Sequence, residues 1–223
     1  MSALIDRSER PPTFERMSGE MRRADILEAA LCIFAEKGYD RASLQEIAEQ
    51  VGILKGSIYY YYKSKEDLLF DILAMIYAEH MGNLRMLDQG EGDPVARLKY
   101  LLSGHAAFLC RNSVRTTVLL RDMHSLPVDR GKLIWGSGQD YRRVFRDLIC
   151  EAQSAGQVPW EVNAKLAALW IVGSLNWLHR WYRPDRSRNP QEVGEEFADQ
   201  LTRGVTEAQF WSADASGLDV RPA

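Results

Sequence analysis

The stretch SLQEIAEQVGILKGSIYYYYKSK, residues 43–65, constrains the fold more than any other part of the chain. SLQE (43–46) reads as a capping box. The Ser43 hydroxyl can accept from the backbone N–H of Glu46, while the Glu46 carboxylate reaches back to the N–H of Ser43. Behind this cap, Leu44, Ile47, Ala48 and Val51 fall on one side of a helix. Gly52 stops that helix after about two turns. A second short helix is expected at 54–61. Helix, glycine turn and short helix form the helix-turn-helix pattern, whose second helix is sized for the major groove of DNA.

The chain as a whole carries a formal charge of −3, so any nucleic-acid contact must come from a local patch. Residues 51–65 supply one: Lys55, Lys63 and Lys65 with no acid among them. Phosphates are the natural target for such a patch. Tyr59, Tyr60, Tyr61 and Tyr62 follow one another, and at about 100° per residue they cover most of a helix circumference. Ile58 and Tyr62 share a face, so Tyr62 is expected to pack inward. Lys55 and Tyr59 share another face with Lys63, expected to point at DNA. Tyr60 and Tyr61 lie between, placed to donate hydroxyls to phosphates. Gly56 lets the backbone approach closely, and Ser57 offers a small donor. The alternative is that the four rings are half-buried aromatics closing a small domain.

Around this unit the periodicity is helical. Ile26, Ala30, Ile33, Phe34 and Lys37 form a stripe that ends at Gly38. Ser64 caps a longer helix to about Leu87, with Glu66 and Asp67 in its first turn. DQGEGD (88–93) is a break in composition. Beyond it helices are expected at 94–111, 114–125, 129–155, 164–183 and 190–210, with Asp93-Pro94 and Asn189-Pro190 as good starts. The expected fold is all-α. Its parts are a leader over 1–18, a helix-turn-helix domain over 19–66, a larger helical domain over 67–211 and a loose tail over 212–223. Arg7, Arg10 and Arg16 make the leader either a minor-groove arm or a mobile start.

Several classes are disfavoured. His80, His105, His124 and His179 sit in no H-E-x-x-H arrangement, and no G-x-S-x-G, Walker loop or G-x-G-x-x-G occurs, so an enzyme, a metal site or a cofactor is not expected. Cys32, Cys110 and Cys150 are odd in number, far apart and in apolar contexts, which reads as buried inert thiols in a reducing cytoplasm. LAALWIVGSLNWL (166–178) is too short to span a membrane and carries Ser174 and Asn176. The N-terminus has no apolar signal-peptide core.

In the larger domain Trp170, Ser174, Trp177 and Trp181 make an aromatic stripe, flanked by Asn176, Arg180 and Arg183 with His179 beside it. An apolar surface edged by guanidinium groups suits an amphiphile with an anionic head. Equally, the tryptophans can be core or a dimer interface, with the arginines paired to Glu192, Glu195, Glu196 and Asp199. Ala167, Ala168, Ile171 and Gly173 are small or apolar enough for close packing.

The segment 22–70, RRADILEAALCIFAEKGYDRASLQEIAEQVGILKGSIYYYYKSKEDLLF, resembles the DNA-binding domain of TetR/AcrR-type transcriptional regulators. The likeness runs without a gap through F-A-x-x-G-Y, the capped second helix, K-G-S-I-Y-Y and S-K-E-D-L-L. It implies that Lys55, Gly56 and Ser57 approach bases or backbone. It implies that Tyr59, Tyr60 and Tyr61 contact thymine methyls and phosphates, that Tyr62 is core, and that Ser43 and Lys65 reach phosphate. One departure is Leu54, where the family often has a capping Ser or Thr. The resemblance further implies homodimers on palindromic operators, usually repressors released by a small ligand, with the last two helices building the dimer. NWLHRWYRPDRSRNPQEVGEEFADQLTRGV (176–205) is similar to TetR-type regulators of cholesterol-ring, fatty-acid and aromatic-acid breakdown, which sense acyl-CoA thioesters. By that likeness Arg180 or Arg183 would meet the CoA phosphates. Phe108, Trp135, Tyr141, Phe145, Trp177 and Leu120 would line an acyl pocket, with His105 and Arg121 as polar contacts. The alternative effector is a neutral lipophile controlling an efflux system.

Overall fold

The computed structural model describes residues 14–88, 90–136, 139–183, 185 and 188–207. Among the described residues the regular structure is helical, with no strand. Two compact units divide after Leu73.

The first unit contains α1 (Phe14–Lys37), α2 (Leu44–Val51), α3 (Lys55–Tyr61) and the opening of α4 (Lys65–Leu87). α1 starts at Phe14, so residues 14–18 belong to a helix rather than to the expected mobile leader. Glu15, Arg16 and Met17 are good helix formers. Arg7, Arg10 and the tail beyond residue 207 lie outside the described residues. The capping box forms: Ser43 Oγ accepts from Glu46 N at 3.2 Å, and Ser43 N donates to Glu46 Oε2 at 2.9 Å. Gly52 closes α2 in the left-handed region, φ 71°, where other residues are strained. Ser64 Oγ accepts from Asp67 N at 3.0 Å and caps α4. Ile26, Ala30, Phe34, Ile47, Ala48, Ile58, Leu68, Leu69 and Ile72 are fully buried. Each large apolar side chain among them contributes about 1.5–3 kcal/mol by leaving water. That burial holds two helices of eight and seven residues that propensity alone would not sustain.

The second unit holds the rest of α4, then α5 (Pro94–Arg111), α6 (Ser113–Asp122), a 3₁₀ turn (Met123–Ser125), α7 (Val128–Trp135), α8 (Gln139–Ser154), α9 (Ala164–Trp181) and α10 (Pro190–Thr206). Asp93 caps α5 and Asn189 caps α10, each followed by proline at the first helical position. α5 and α10 lie close together because Gly194 has no side chain; a Cβ there would sit 2.4 Å from the Ser103 carbonyl oxygen. Leu98, Leu101, Leu102, Phe145, Ile149, Ile171 and Leu175 centre the core. The single helix expected over 129–155 is two helices. Gly136 takes φ 56°, ψ −132°, a conformation that ends α7 and that a residue with a Cβ does not adopt comfortably.

Candidate DNA interface and effector cavity

α3 turns one face to the core and the rest to solvent. Ile58 is fully buried, whereas Lys55, Gly56, Ser57, Tyr59 and Tyr60 are exposed. Tyr59 is 50% exposed and Tyr60 86%. Tyr61 is half-buried and meets Tyr60 edge-on, with ring centroids 5.0 Å apart. A Cβ on Gly56 would meet nothing within 4 Å, so the domain's own packing does not require a glycine there. Leu54 stands at the N-cap with no side-chain hydrogen bond and is 81% exposed.

Two neighbours of this face are structural. Tyr62, just past α3, is buried, and burial pushes its phenol up to about 12. The Arg23 guanidinium lies 4.5 Å from its ring centroid and pairs with Asp71 at 2.5 Å. Lys65 turns its ammonium inward. Nζ donates to the carbonyls of Tyr39 (2.9 Å), Asp40 (3.3 Å) and Ala42 (2.9 Å), over the Tyr39 ring. It therefore closes the loop between α1 and α2, and its donors are occupied. Ser43 is held likewise by Glu46.

In the second unit a cavity of about 180 Å³ lies among α4, α6, α7, α8 and α9. Its apolar wall comes from Leu119, Leu120, Met123, Trp135 and Val172. Its polar positions are Tyr77, His80, Tyr141, Arg142 and Asn176. His80 is buried, and desolvation lowers its pKa to about 4, so the ring is neutral at physiological pH. Behind the wall, fully buried His105 bonds Asn83 Oδ1 through Nδ1 at 2.7 Å and Tyr141 Oη through Nε2 at 2.6 Å. With Nδ1–H donating to Asn83, Nε2 accepts the Tyr141 proton. Burial lowers His105 to about 3 and raises the Tyr141 phenol, so both stay neutral. Phe108 stacks on His105, with centroids 5.8 Å apart.

Of the residues expected to line a pocket, Trp135, Tyr141 and Leu120 do so. His105, Phe108 and Phe145 stand behind the wall, supporting Tyr141. Arg121 is held by buried Asp122 at 2.8 Å. Trp177, Arg180 and Arg183 are exposed and do not line the cavity; Arg180 rests over the Trp177 ring. Ala167, Ala168 and Ile171 are buried inside the unit. Sequence reading missed Tyr77, His80, Leu119, Met123, Arg142 and Val172. Tyr77 and His80, three apart on α4, carried the available signal. Cys110 is buried, as expected, but Cys32 and Cys150 are exposed, because helical rotation turns them away from their apolar neighbours. No group of three or more His, Cys, Asp or Glu among the described residues could hold a metal ion, and none of their helices is long and apolar enough to cross a membrane.

A glycine-turned helix pair with an exposed second helix, followed by a separate all-α unit, defines a helix-turn-helix DNA-binding protein. Two family models match, one described as "Bacterial regulatory proteins, tetR family" over residues 26–72 and one as "Tetracyclin repressor-like, C-terminal domain" over residues 91–205. The chain belongs to the TetR family of transcriptional regulators. It is 24% identical over 195 residues to the HTH-type transcriptional repressor KstR2 of Mycobacterium tuberculosis (strain ATCC 25618 / H37Rv), covering 86% of this chain and 98% of the relative. It is 30% identical over 162 residues to the HTH-type transcriptional regulator HbdR of Aromatoleum sp. (strain CIB), covering 73% and 69%. The crystal structure of AibR in complex with isovaleryl coenzyme A and operator DNA matches with a TM-score of 0.72 at 23% identity, covering 83% of this chain and 98% of that one. At that identity the likeness is one of fold.

Proposed function

We propose that the chain is a homodimeric repressor that grips a palindromic operator through α3 and is released by an acyl-CoA. The observation that carries the effector reading is the cavity. It is mainly apolar, its His80 is neutral, and its volume is about 180 Å³. An engineered apolar cavity of about 150 Å³ accepts benzene. The acyl group is therefore short and branched or a single ring, not a long fatty chain. AibR, of the same fold, binds isovaleryl coenzyme A together with its operator.

Lys55, Gly56, Ser57, Tyr59, Tyr60 and Tyr61 form the DNA-facing set, with Ser43 and Lys65 as positioning residues that fix α2 and the turn before it. The dimer face is on α9, where Leu166, Trp170, Trp177 and Trp181 recur at helical spacing and stay exposed in the single chain.

The test is fluorescence anisotropy on the DNA upstream of the protein's own reading frame. Isovaleryl-CoA, benzoyl-CoA, stearoyl-CoA, the free acids and neutral lipophiles are then titrated into the complex. Release by the first two and not by stearoyl-CoA is expected. Release by neutral lipophiles alone would replace the thioester with an efflux-type effector, and no specific binding at any salt would overturn the operator reading.

A further inference from the structure

A second concavity lies along the seam of α8 and α9, lined by Arg142, Arg143, Arg146, Lys165, Ala168 and Leu169. Arg142 also lines the acyl-sized cavity, so cavity and groove share a wall. α9 shows the same continuity, since Lys165, Ala168, Leu169, Val172 and Asn176 fall on one helical face, the first three on the groove and the last two on the cavity. Val172 stands seven positions after Lys165, a rise of about 10 Å.

We propose that this groove holds the phosphates of the effector, while the acyl group enters the cavity past Arg142. The inference rests on the acyl-CoA reading and names the residues that take the anionic end. Four cations converge there. Asp140 lies 3.6 Å from Arg143, and Asp147 pairs with Arg146 at 2.7 Å. Both pairs are solvent-exposed, and such pairs hold their partners weakly. Arg142 and Lys165 have no carboxylate within ion-pair distance among the described residues. Guanidinium groups match phosphate oxygens two at a time, and Lys165 adds a point charge. Arg180 and Arg183, the cations the sequence brought forward, do not line either concavity.

The experiment compares three probes by calorimetry on the full chain: isovaleryl-CoA, isovaleryl-pantetheine, which lacks the nucleotide phosphates, and adenosine 3′,5′-bisphosphate. Wild type is expected to bind isovaleryl-CoA at least about tenfold tighter than the pantetheine thioester, a preference that shrinks with added salt. The double variant Arg143→Glu/Lys165→Glu loses the preference and leaves pantetheine-thioester affinity unchanged. Arg143→Gln/Lys165→Gln, which adds no repulsive charge, loses most of it. A preference undiminished in both folded variants overturns the proposal. Should neither thioester bind wild type, the acyl-CoA reading fails by itself. The bisphosphate then decides the groove: binding that the variants abolish keeps it as an anion site, and no binding removes it.

Discussion

Gly56→Ala separates fold from function most cleanly, because stability and operator affinity should move in opposite directions. Gly56 is the second residue of α3, exposed and helical. A Cβ there touches nothing within 4 Å, so alanine enters without a clash. It also restricts the unfolded chain, which stabilises the domain by about 0.4–1 kcal/mol. In the proposed operator complex the same methyl would stand between α3 and the duplex. Forcing one extra carbon into a packed interface costs about 1–3 kcal/mol, or roughly 5- to 150-fold in affinity per half-site. Urea denaturation gives the first quantity, and fluorescence anisotropy on the upstream DNA at fixed salt gives the second. Raised stability with unchanged affinity would refute the close approach of this turn to DNA. Lowered stability would show that the glycine serves the fold, contrary to the open space around it.

Three further outcomes are expected. Lys65→Met removes the ammonium from three carbonyls and should destabilise the first unit by about 2 kcal/mol, read by urea melting; a neutral result would show that those bonds are replaced by water without cost. His80 and His105 are neutral in the fold, near 4 and 3, but titrate near 6.5 when unfolded, so stability is complete above about pH 6.5 and falls as pH drops toward 4. Each contributes a loss of about 2 kcal/mol by pH 5, and a denaturation midpoint that stays flat from pH 7.5 to 5 would contradict their burial. Trp177→Glu places a charge at the centre of the exposed α9 stripe and should shift the protein to monomer by light scattering, with operator affinity falling alongside; an intact dimer would move the interface elsewhere.

What the sequence disclosed was what local chemistry determines. Ser43 and Glu46 are three residues apart, and Gly52 adjoins the helix it ends, so the second helix and its turn were readable directly. The rotation of 100° per residue separated the tyrosines: Ile58 and Tyr62 went inward, and Tyr59 and Tyr60 outward. Lys65 was not readable, because its partners lie 23 to 26 residues upstream and meet it only after folding. The single helix expected over 129–155 ran across Gly136, whose backbone angles end α7; the Gly-Ser-Gly run at 136–138 was the local signal for that break. The tryptophans drew attention to α9 by their size, yet the cavity is built from one or two residues from each of five helices and Met123 from the 3₁₀ turn, far apart in the chain. The neutrality of His80 and His105 is likewise a property of burial, which a sequence does not carry.

α9 turns one face outward through Leu166, Trp170, Trp177 and Trp181 and another, through Lys165, Val172 and Asn176, toward groove and cavity. In the proposed complex an effector in the cavity and a partner on the outer face would press on one helix from two sides. Whether that suffices for release is a matter of magnitude. A ligand moves a two-state equilibrium only by its difference in affinity for the two states, and a shift from 1:99 to 99:1 needs about 5.5 kcal/mol. The four hydrocarbon carbons of an isovaleryl group contribute about 3 kcal/mol on full burial. The acyl group alone is therefore too small to switch the protein completely, and the phosphates must also favour the released state. A pantetheine thioester should then saturate the cavity yet leave part of the operator bound, whereas the CoA thioester clears it. Equal and complete release by both would mean that the cavity does the switching unaided.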